Sequence, residues 1–82
     1  MKFDLYKEVA LSADIPEHRL KKGDVATVVE YMEPKQDHEP VYVLEVFNAV
    51  GESVEVLMVM ESQIESLRED ELFQVRHFAA AA

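Results

Sequence analysis

The side chains that could support catalysis or bind a metal are scattered along this sequence. No serine has the context of a nucleophile elbow, and the 3 histidines share no ligand spacing. Asp37, His38 and Glu39 form the one compact cluster of metal-binding types, but consecutive residues of an extended loop point apart, so at most two could ligate one ion. With only Gly23 and Gly51, the chain has no glycine-rich phosphate loop. We therefore expect no enzyme, no metal site and no cofactor.

Positive charge is concentrated in one short segment that contains His18, Arg19, Lys21 and Lys22. These side chains could contact a phosphate or a nucleic acid, and such binding would be weak and strongly salt-dependent because only three or four charges take part. The other interpretations are a solvated loop that balances nearby carboxylates and a contact with a protein. Nucleic acid is therefore an alternative partner rather than the expected one.

Negative charge dominates the rest of the chain, which has 82 residues and a formal net charge of −9. Acidic and basic residues balance within residues 1–29, whereas residues 30–71 hold twelve acids and only two bases. This balance excludes a general binder of the phosphate backbone, which needs a Lys/Arg face. It is compatible with a solvated outer face that keeps the domain in solution, or with an acidic face for a basic protein.

A protein-binding face is predicted from acids and aromatic residues in the central strands. Glu30, Glu45 and Glu55 alternate with apolar residues, so these three acids are expected to face solvent together on a sheet. The aromatic residues, with Met58 and Met60, exceed what the inner face of a small barrel holds, and such side chains are enriched at interaction surfaces. The alternative is that these large side chains belong to the core. The predicted protein-binding residues are Glu30, Tyr31, Tyr42, Glu45, Phe47 and Glu55.

Short β-strands are the elements that must position these residues. Apolar and β-branched patterns predict strands at residues 2–11, 25–32, 41–48 and 53–60, with a turn at Gly23 and a hairpin turn around Gly51. Ser62 followed by Glu65 fits a capping box, which predicts a short helix or 3₁₀ turn at residues 63–67. Residues 72–78 are ambiguous between strand and helix, and we favour a final strand. Residues 79–82 are expected to be a disordered tail or a remnant added for expression.

Length and composition fit one small all-β domain. The chain has no cysteine, its hydrophobic fraction is 49%, and no apolar run approaches the roughly 20 residues of a membrane span. About five strands joined by turns, with one helical turn before the last strand, predict an SH3-like barrel that spans residues 1–78. We expect a soluble, cytoplasmic domain without a membrane contact, and at this size a homodimer is an alternative to a monomer.

Several segments together carry a family resemblance. They are LYKEVAL at residues 5–11, DIPE at 14–17, LKKGDVATVVE at 20–30 and VLEVF at 43–47. Across residues 2–67 the sequence resembles the bacterial domain-of-unknown-function family 4926. The resemblance implies an SH3-like barrel, no catalytic residues, and for some members a partnership with neighbouring small proteins in the manner of an antitoxin or immunity protein.

Three functions follow as hypotheses. The first is a non-catalytic acidic module that binds a basic protein, with an antitoxin-like or immunity-like role as its specific form. The second is a small barrel bound to nucleic acid or the ribosome, because residues 20–31 are also similar to the KOW motif, in which a Gly-Asp turn leads into a strand of valines. The third is a structural homo-oligomer.

Overall fold

The computed structural model describes residues 1–78 and forms one antiparallel sheet of five strands. The strands are β1 (Glu8–Leu11), β2 (Val25–Met32), β3 (Val41–Phe47), β4 (Ser53–Met60) and β5 (Ile64–Ser66). Two 3₁₀ turns occur, at Pro16–His18 and Glu61–Gln63, and residues 1–78 contain no α-helix. None of the helical segments in this range is long and apolar enough to cross a membrane. The all-β prediction is confirmed, whereas the predicted tail at residues 79–82 lies outside the described residues.

The strand order β4-β3-β2-β1-β5 forces the sheet to curl. β4 and β5 lie at opposite ends of this order, and in a flat sheet about 19 Å would separate them, at roughly 4.8 Å per neighbouring strand. The chain passes from Met60 to Ile64, however, and four residues span at most about 14 Å even when extended. The 3₁₀ turn between them shortens the path further. A four-strand meander whose fifth strand returns to β1 after such a turn is the SH3-like arrangement predicted from the sequence.

The central strands follow the predicted boundaries closely. β2 and β4 match the expected ranges at residues 25–32 and 53–60, and β3 is one residue shorter than expected. Each strand places alternate side chains in the core, as the two-residue period of extended backbone requires. The buried apolar cluster consists of Phe3, Val9, Leu11, Ile15, Leu20, Ala26, Val28, Tyr42, Leu44, Val46, Leu57, Val59 and Ile64.

The two ends of the described chain depart from the predictions. β1 begins only at Glu8, because Tyr6 adopts φ 65, a left-handed conformation that interrupts an extended strand. The expected last strand at residues 72–78 is wrong: the last strand is Ile64–Ser66, which pairs with β1. Leu72 and Val75 are both 91% exposed, so the alternating pattern there packs against no sheet.

The helical turn precedes the last strand as predicted, but it starts earlier and its capping differs. It spans Glu61–Gln63 rather than residues 63–67, and the helical prediction is wrong for residues 64–66, which form β5. The side chain of Gln63 accepts a hydrogen bond from the Met60 N–H at 2.8 Å, whereas the expected capping residue, Ser62, donates through its N–H and hydroxyl to Glu39. Those bonds tie the β2–β3 loop to the turn that leads into β5.

The two glycines lie where the chain needs a positive φ. Gly23 has φ 93 in the turn before β2, and Gly51 has φ 86 in the hairpin between β3 and β4. The hairpin is also held by Asn48, whose Oδ1 accepts hydrogen bonds from the N–H groups of Val50 and Glu52. An asparagine side chain that bonds to backbone a few residues ahead is a common way to close a turn. The turn positions predicted from these residues are confirmed.

Candidate interaction surface

The outer face of strands β2, β3 and β4 exposes large apolar side chains, among them Val56, Met58 and Met60. Strand register aligns the side chains of this face in three rows that cross the strands, because directly paired residues of antiparallel strands point to the same side. The rows are Met32–Val41–Met60, Glu30–Val43–Met58 and Thr27–Glu45–Val56. We call these nine residues the outer face.

Exposure is greatest along β4, at the edge of the sheet. Met58 is 67% exposed, Val56 is 54% exposed and Met60 is 46% exposed. The residues between them, Leu57 and Val59, are buried in the core. β4 is therefore apolar on both sides, although only one side contributes to the folded core. Contiguous exposed apolar surface of this kind marks interaction sites more often than single scattered side chains do.

Carboxylates are interspersed with this apolar surface. Glu30 lies beside Val43, and Glu45 lies beside Val56. Glu8 of β1 pairs with Thr27 and so continues the third row beyond β2. The outer face thus combines methionine and valine side chains with negative charge, which suits a partner that is both apolar and basic.

The structure places the predicted protein-binding residues in different environments. Glu30 and Glu45 lie together on the outer face, and Phe47 is 44% exposed at the end of β3. Tyr31 is half-buried and packs against the core, its ring centroid 5.1 Å from that of Tyr42. Glu30, Glu45, Phe47 and Tyr31 remain predictions as binding residues, and two of the six assignments require correction.

Tyr42 cannot be an exposed anchor because it is completely buried. Its hydroxyl donates a hydrogen bond to Glu61 Oε2 at 2.7 Å and accepts bonds from the N–H groups of Lys2 and Phe3, at 3.0 and 3.3 Å. Burial, followed by the bond to Glu61, raises the pKa of Tyr42 above its ordinary value. Tyr42 joins the N-terminal segment to the turn before β5, so its role is structural.

Glu55 points to the side of the sheet opposite Glu45. It pairs with Val46, which is buried, whereas Glu45 pairs with Val56 on the outer face. The Glu55 carboxylate lies 3.1 Å from His18 Nδ1, which donates because an ionised carboxylate only accepts. The expectation that Glu30, Glu45 and Glu55 share one solvent face is therefore wrong for Glu55. The cause is strand register, since an offset of one residue reverses the side of the sheet.

The predicted basic segment is brought together around the first 3₁₀ turn, but carboxylates surround it. Besides the contact of His18 with Glu55, the backbone N–H of Lys21 donates to Asp24 Oδ2 at 2.8 Å, and that of Lys22 donates to Asp14 Oδ1 at 2.8 Å. These acids shape the loop and lower its net positive charge. The surroundings of the loop favour the interpretation of a charge-balanced loop over a phosphate site.

The C-terminal segment reaches this loop through two contacts that the sequence did not indicate. The Arg76 guanidinium donates to both carboxylate oxygens of Asp24, with Nε 2.8 Å from Oδ1. The guanidinium of Arg19 stacks on the ring of Phe78, with its central carbon 4.9 Å from the centroid. Phe78 also packs against the core cluster. The segment after β5 is thus fixed at its far end without forming a strand.

The pKa of Asp24 reflects these contacts. Partial burial by itself would raise this pKa, but the hydrogen bonds from Arg76 and from the Lys21 N–H, together with the charges of both residues, outweigh burial and lower it. Asp24 is therefore held ionised at neutral pH and serves as the anchor for Arg76. No group of three or more His, Asp or Glu side chains that could hold a metal ion occurs within residues 1–78.

Sequence reasoning missed most of the apolar part of the outer face, namely Met32, Val41, Val43 and Val56. Each of these residues also fits a core position when a strand is considered alone. The sequence of β4 did contain a signal: apolar residues occupy the positions that point to one side of the sheet and also those that point to the other. A strand that is apolar on both sides at the edge of a sheet must expose one of them.

The fold and this surface define a small all-β domain of SH3-like arrangement with an exposed apolar and acidic sheet face. The family described as Domain of unknown function (DUF4926) matches residues 5–66, which include all five strands. The chain belongs to this family, in agreement with the resemblance noted from its sequence. No curated protein shows significant similarity to the chain, and no solved structure does either.

Proposed function

We propose that this chain is a non-catalytic module that binds a basic protein through the outer face. The observation that carries the proposal is the exposure of Val56, Met58 and Met60 along β4, with Glu45 paired directly to Val56 and Glu30 in the same row as Met58. Exposed apolar side chains supply the contact area, and the neighbouring carboxylates favour a partner of opposite charge and increase its rate of encounter. An antitoxin-like or immunity-like role, in which the basic partner is a toxin, is the specific form that the family resemblance suggests.

The test compares capture of proteins by charge-matched variants of the chain. Wild-type chain and a Glu30→Lys, Glu45→Lys double variant are immobilised and exposed to a lysate of the organism that encodes the chain. Glu17→Lys with Glu69→Lys serves as the control, because both residues are exposed and lie outside the outer face, and the net charge changes equally. Bound proteins are measured by quantitative mass spectrometry.

We expect at least one basic protein to bind to the wild-type chain and to the control. Its retention should fall about tenfold or more on the outer-face variant, because attraction at two positions becomes repulsion. It should also weaken in high salt, which screens charges at an exposed surface. Equal capture by the two charge-matched variants, or no protein that distinguishes them, would contradict the proposal.

A further inference from the structure

β4 has an open backbone edge within the described residues. It occupies one end of the strand order, and its ladder of hydrogen bonds runs to β3. β4 is eight residues long, so its open edge is longer than that of β5, which has three residues. An unpaired edge of this length is able to pair with another extended chain.

The hydrogen bonds at the end of β4 identify which backbone groups face the open edge. The N–H of Met60 donates to the side chain of Gln63, and the N–H of Glu61 donates to the carbonyl of Pro40 at 3.0 Å. Val41 and Met60 therefore form a pair that exchanges no backbone bonds. Hydrogen-bonded and non-bonded pairs alternate along antiparallel strands.

From this alternation, Leu57 and Val59 direct their N–H and C=O groups toward β3. Val56 and Met58 direct theirs toward the open edge. The same two residues place their exposed side chains on the outer face. Two donors, two acceptors and two apolar side chains thus lie next to each other.

From Val56 to Met60 this edge lacks the features that usually prevent strand pairing, because the register shift at Val54 and the inward-pointing charge of Glu55 both lie before Val56. β4 contains no lysine and no proline, and its single charge, Glu55, points to the other side of the sheet toward His18. Natural edge strands that must remain unpaired commonly carry such residues or are very short. The edge is therefore suited to pairing.

We propose that β4 accepts an extended, lysine- or arginine-containing segment of the protein partner as an additional strand, held by backbone hydrogen bonds to Val56 and Met58. The inference rests on the proposed function and specifies how the partner is recognised. Main-chain bonds supply affinity in this mode of binding, and alternate side chains supply specificity.

Charge favours a basic segment over a second copy of the chain. Residues 30–71 hold twelve acids and two bases, so two copies would bring like charges together. A basic residue of the added strand opposite Val56 would stand about 10 Å from the backbone of Glu45, two strand spacings away. A long basic side chain and the glutamate side chain together span that gap, and the basic stem would cover Val56.

The first experiment removes single edge donors. The probe is a nonapeptide selected on the wild-type chain from a displayed library that alternates Lys or Arg with Val, Ile or Thr. Val56→Pro and Met58→Pro each delete one N–H that faces the open edge, a position where an edge strand tolerates proline. Val56→Ala and Met58→Ala are the matched controls, since they shorten the side chain and keep the N–H.

We expect each proline variant to bind the peptide about tenfold more weakly than its alanine control, because one donor is lost and its acceptor is left unpaired. N-methylation of alternate peptide amides along one edge should abolish binding. Equal affinity of the proline and alanine variants, or a library that yields no binding peptide, would overturn the inference.

Amide hydrogen exchange of the wild-type chain gives a second test that needs no folded proline variant. In the free chain the amides of Val56 and Met58 should exchange much faster than those of Leu57 and Val59, and the peptide should protect them. Failure of the peptide to protect them would refute strand addition. If protection of these amides instead rises with the concentration of the chain alone, and light scattering shows a dimer, the edge pairs with a second copy of the chain and the proposed basic segment is refuted.

The two proposals can fail separately. If a captured protein is lost on the Glu30→Lys, Glu45→Lys variant but binds the proline and alanine variants equally, the outer face binds its partner without strand addition. If no protein distinguishes the charge-matched variants, the proposed function itself fails.

Discussion

Removal of the Tyr42 hydroxyl should destabilise the domain far more than removal of any exposed hydroxyl. Tyr42→Phe keeps the ring, which packs edge-on against Phe3 at 5.5 Å between centroids. It deletes the bond donated to Glu61 and the acceptor for the N–H groups of Lys2 and Phe3. The substitution therefore isolates hydrogen bonding from packing.

The expected loss in the free energy of unfolding is about 2–4 kcal/mol. A hydrogen bond to a charged group contributes about 1.5–3 kcal/mol, and a buried N–H left without an acceptor costs about 1–3 kcal/mol. These contributions are not additive, since Lys2 and Glu61 regain water when the hydroxyl is lost. A domain of 82 residues has a total stability of roughly 4–12 kcal/mol, so the variant should lose a large fraction of it.

Urea unfolding followed by circular dichroism measures this loss. With a slope of about 1 kcal/mol per molar urea, as expected for a small domain, the midpoint should fall by about 2–4 M. Tyr31→Phe is the matched control, because that ring also packs on Tyr42 while its hydroxyl forms no hydrogen bond within residues 1–78. A change below about 0.5 kcal/mol is expected there. Comparable midpoints for the two variants would refute the reasoning.

The raised pKa of Tyr42 adds a pH dependence with a definite sign. Because the folded state holds this phenol protonated, its stabilisation is complete below the ordinary phenol pKa near 10 and is lost as pH rises through the higher folded value. Spectrophotometric titration should therefore show Tyr42 ionising at a higher pH in the folded chain than in the chain unfolded in urea. Ionisation of Tyr42 at the same pH in the folded and the unfolded chain would contradict the assigned burial and bonding.

Two further predictions concern the loops. Gly23→Ala should destabilise the domain by about 1–2 kcal/mol in thermal unfolding. Gly23 has φ 93 and an added Cβ meets no atom within 4 Å, so the cost comes from the backbone conformation alone. An unchanged midpoint would contradict this prediction. Arg76→Ala should release the C-terminal segment, with a loss of about 1 kcal/mol at neutral pH. Since the folded pKa of Asp24 is lowered from 3.8, that contribution is present above about pH 4 and is lost as pH falls further, so wild type and variant should converge in acid unfolding.

The strands could be predicted because local pattern and tertiary position agree in them. β2 and β4 combine β-branched residues with a preceding turn, and the sheet uses both in full. The segment after β5 could not be predicted in this way. Leu72 and Val75 alternate as in a strand, yet the edge next to β1 is already occupied by β5. Which of the two segments pairs with β1 is decided by long-range contacts, which no local pattern encodes.

Local pattern was also insufficient to predict the candidate surface, as Glu45 and Glu55 illustrate. Both acids alternate with apolar residues, so each strand considered alone places its acid on the solvent side. Whether the two share a side depends on the pairing of β3 with β4, and the hairpin aligns Glu45 with Val56 and Glu55 with Val46. One residue more or less in that hairpin would have united them. A charge test of the outer face must therefore use Glu30 with Glu45.

Neither solubility nor folding explains the apolar content of β4. Six of its eight residues are apolar: Leu57 and Val59 are buried, and Val54 is partly buried against the core. Folding uses those three, and a charged domain in need of solubility would place polar side chains at Val56, Met58 and Met60. Acidic residues stand on β2 and β3 instead, where Glu45 pairs with Val56 and Glu30 lies in the row of Met58. Apolar side chains at an unpaired edge, next to carboxylates of the same face, have a physical rationale when a basic, extended chain covers them.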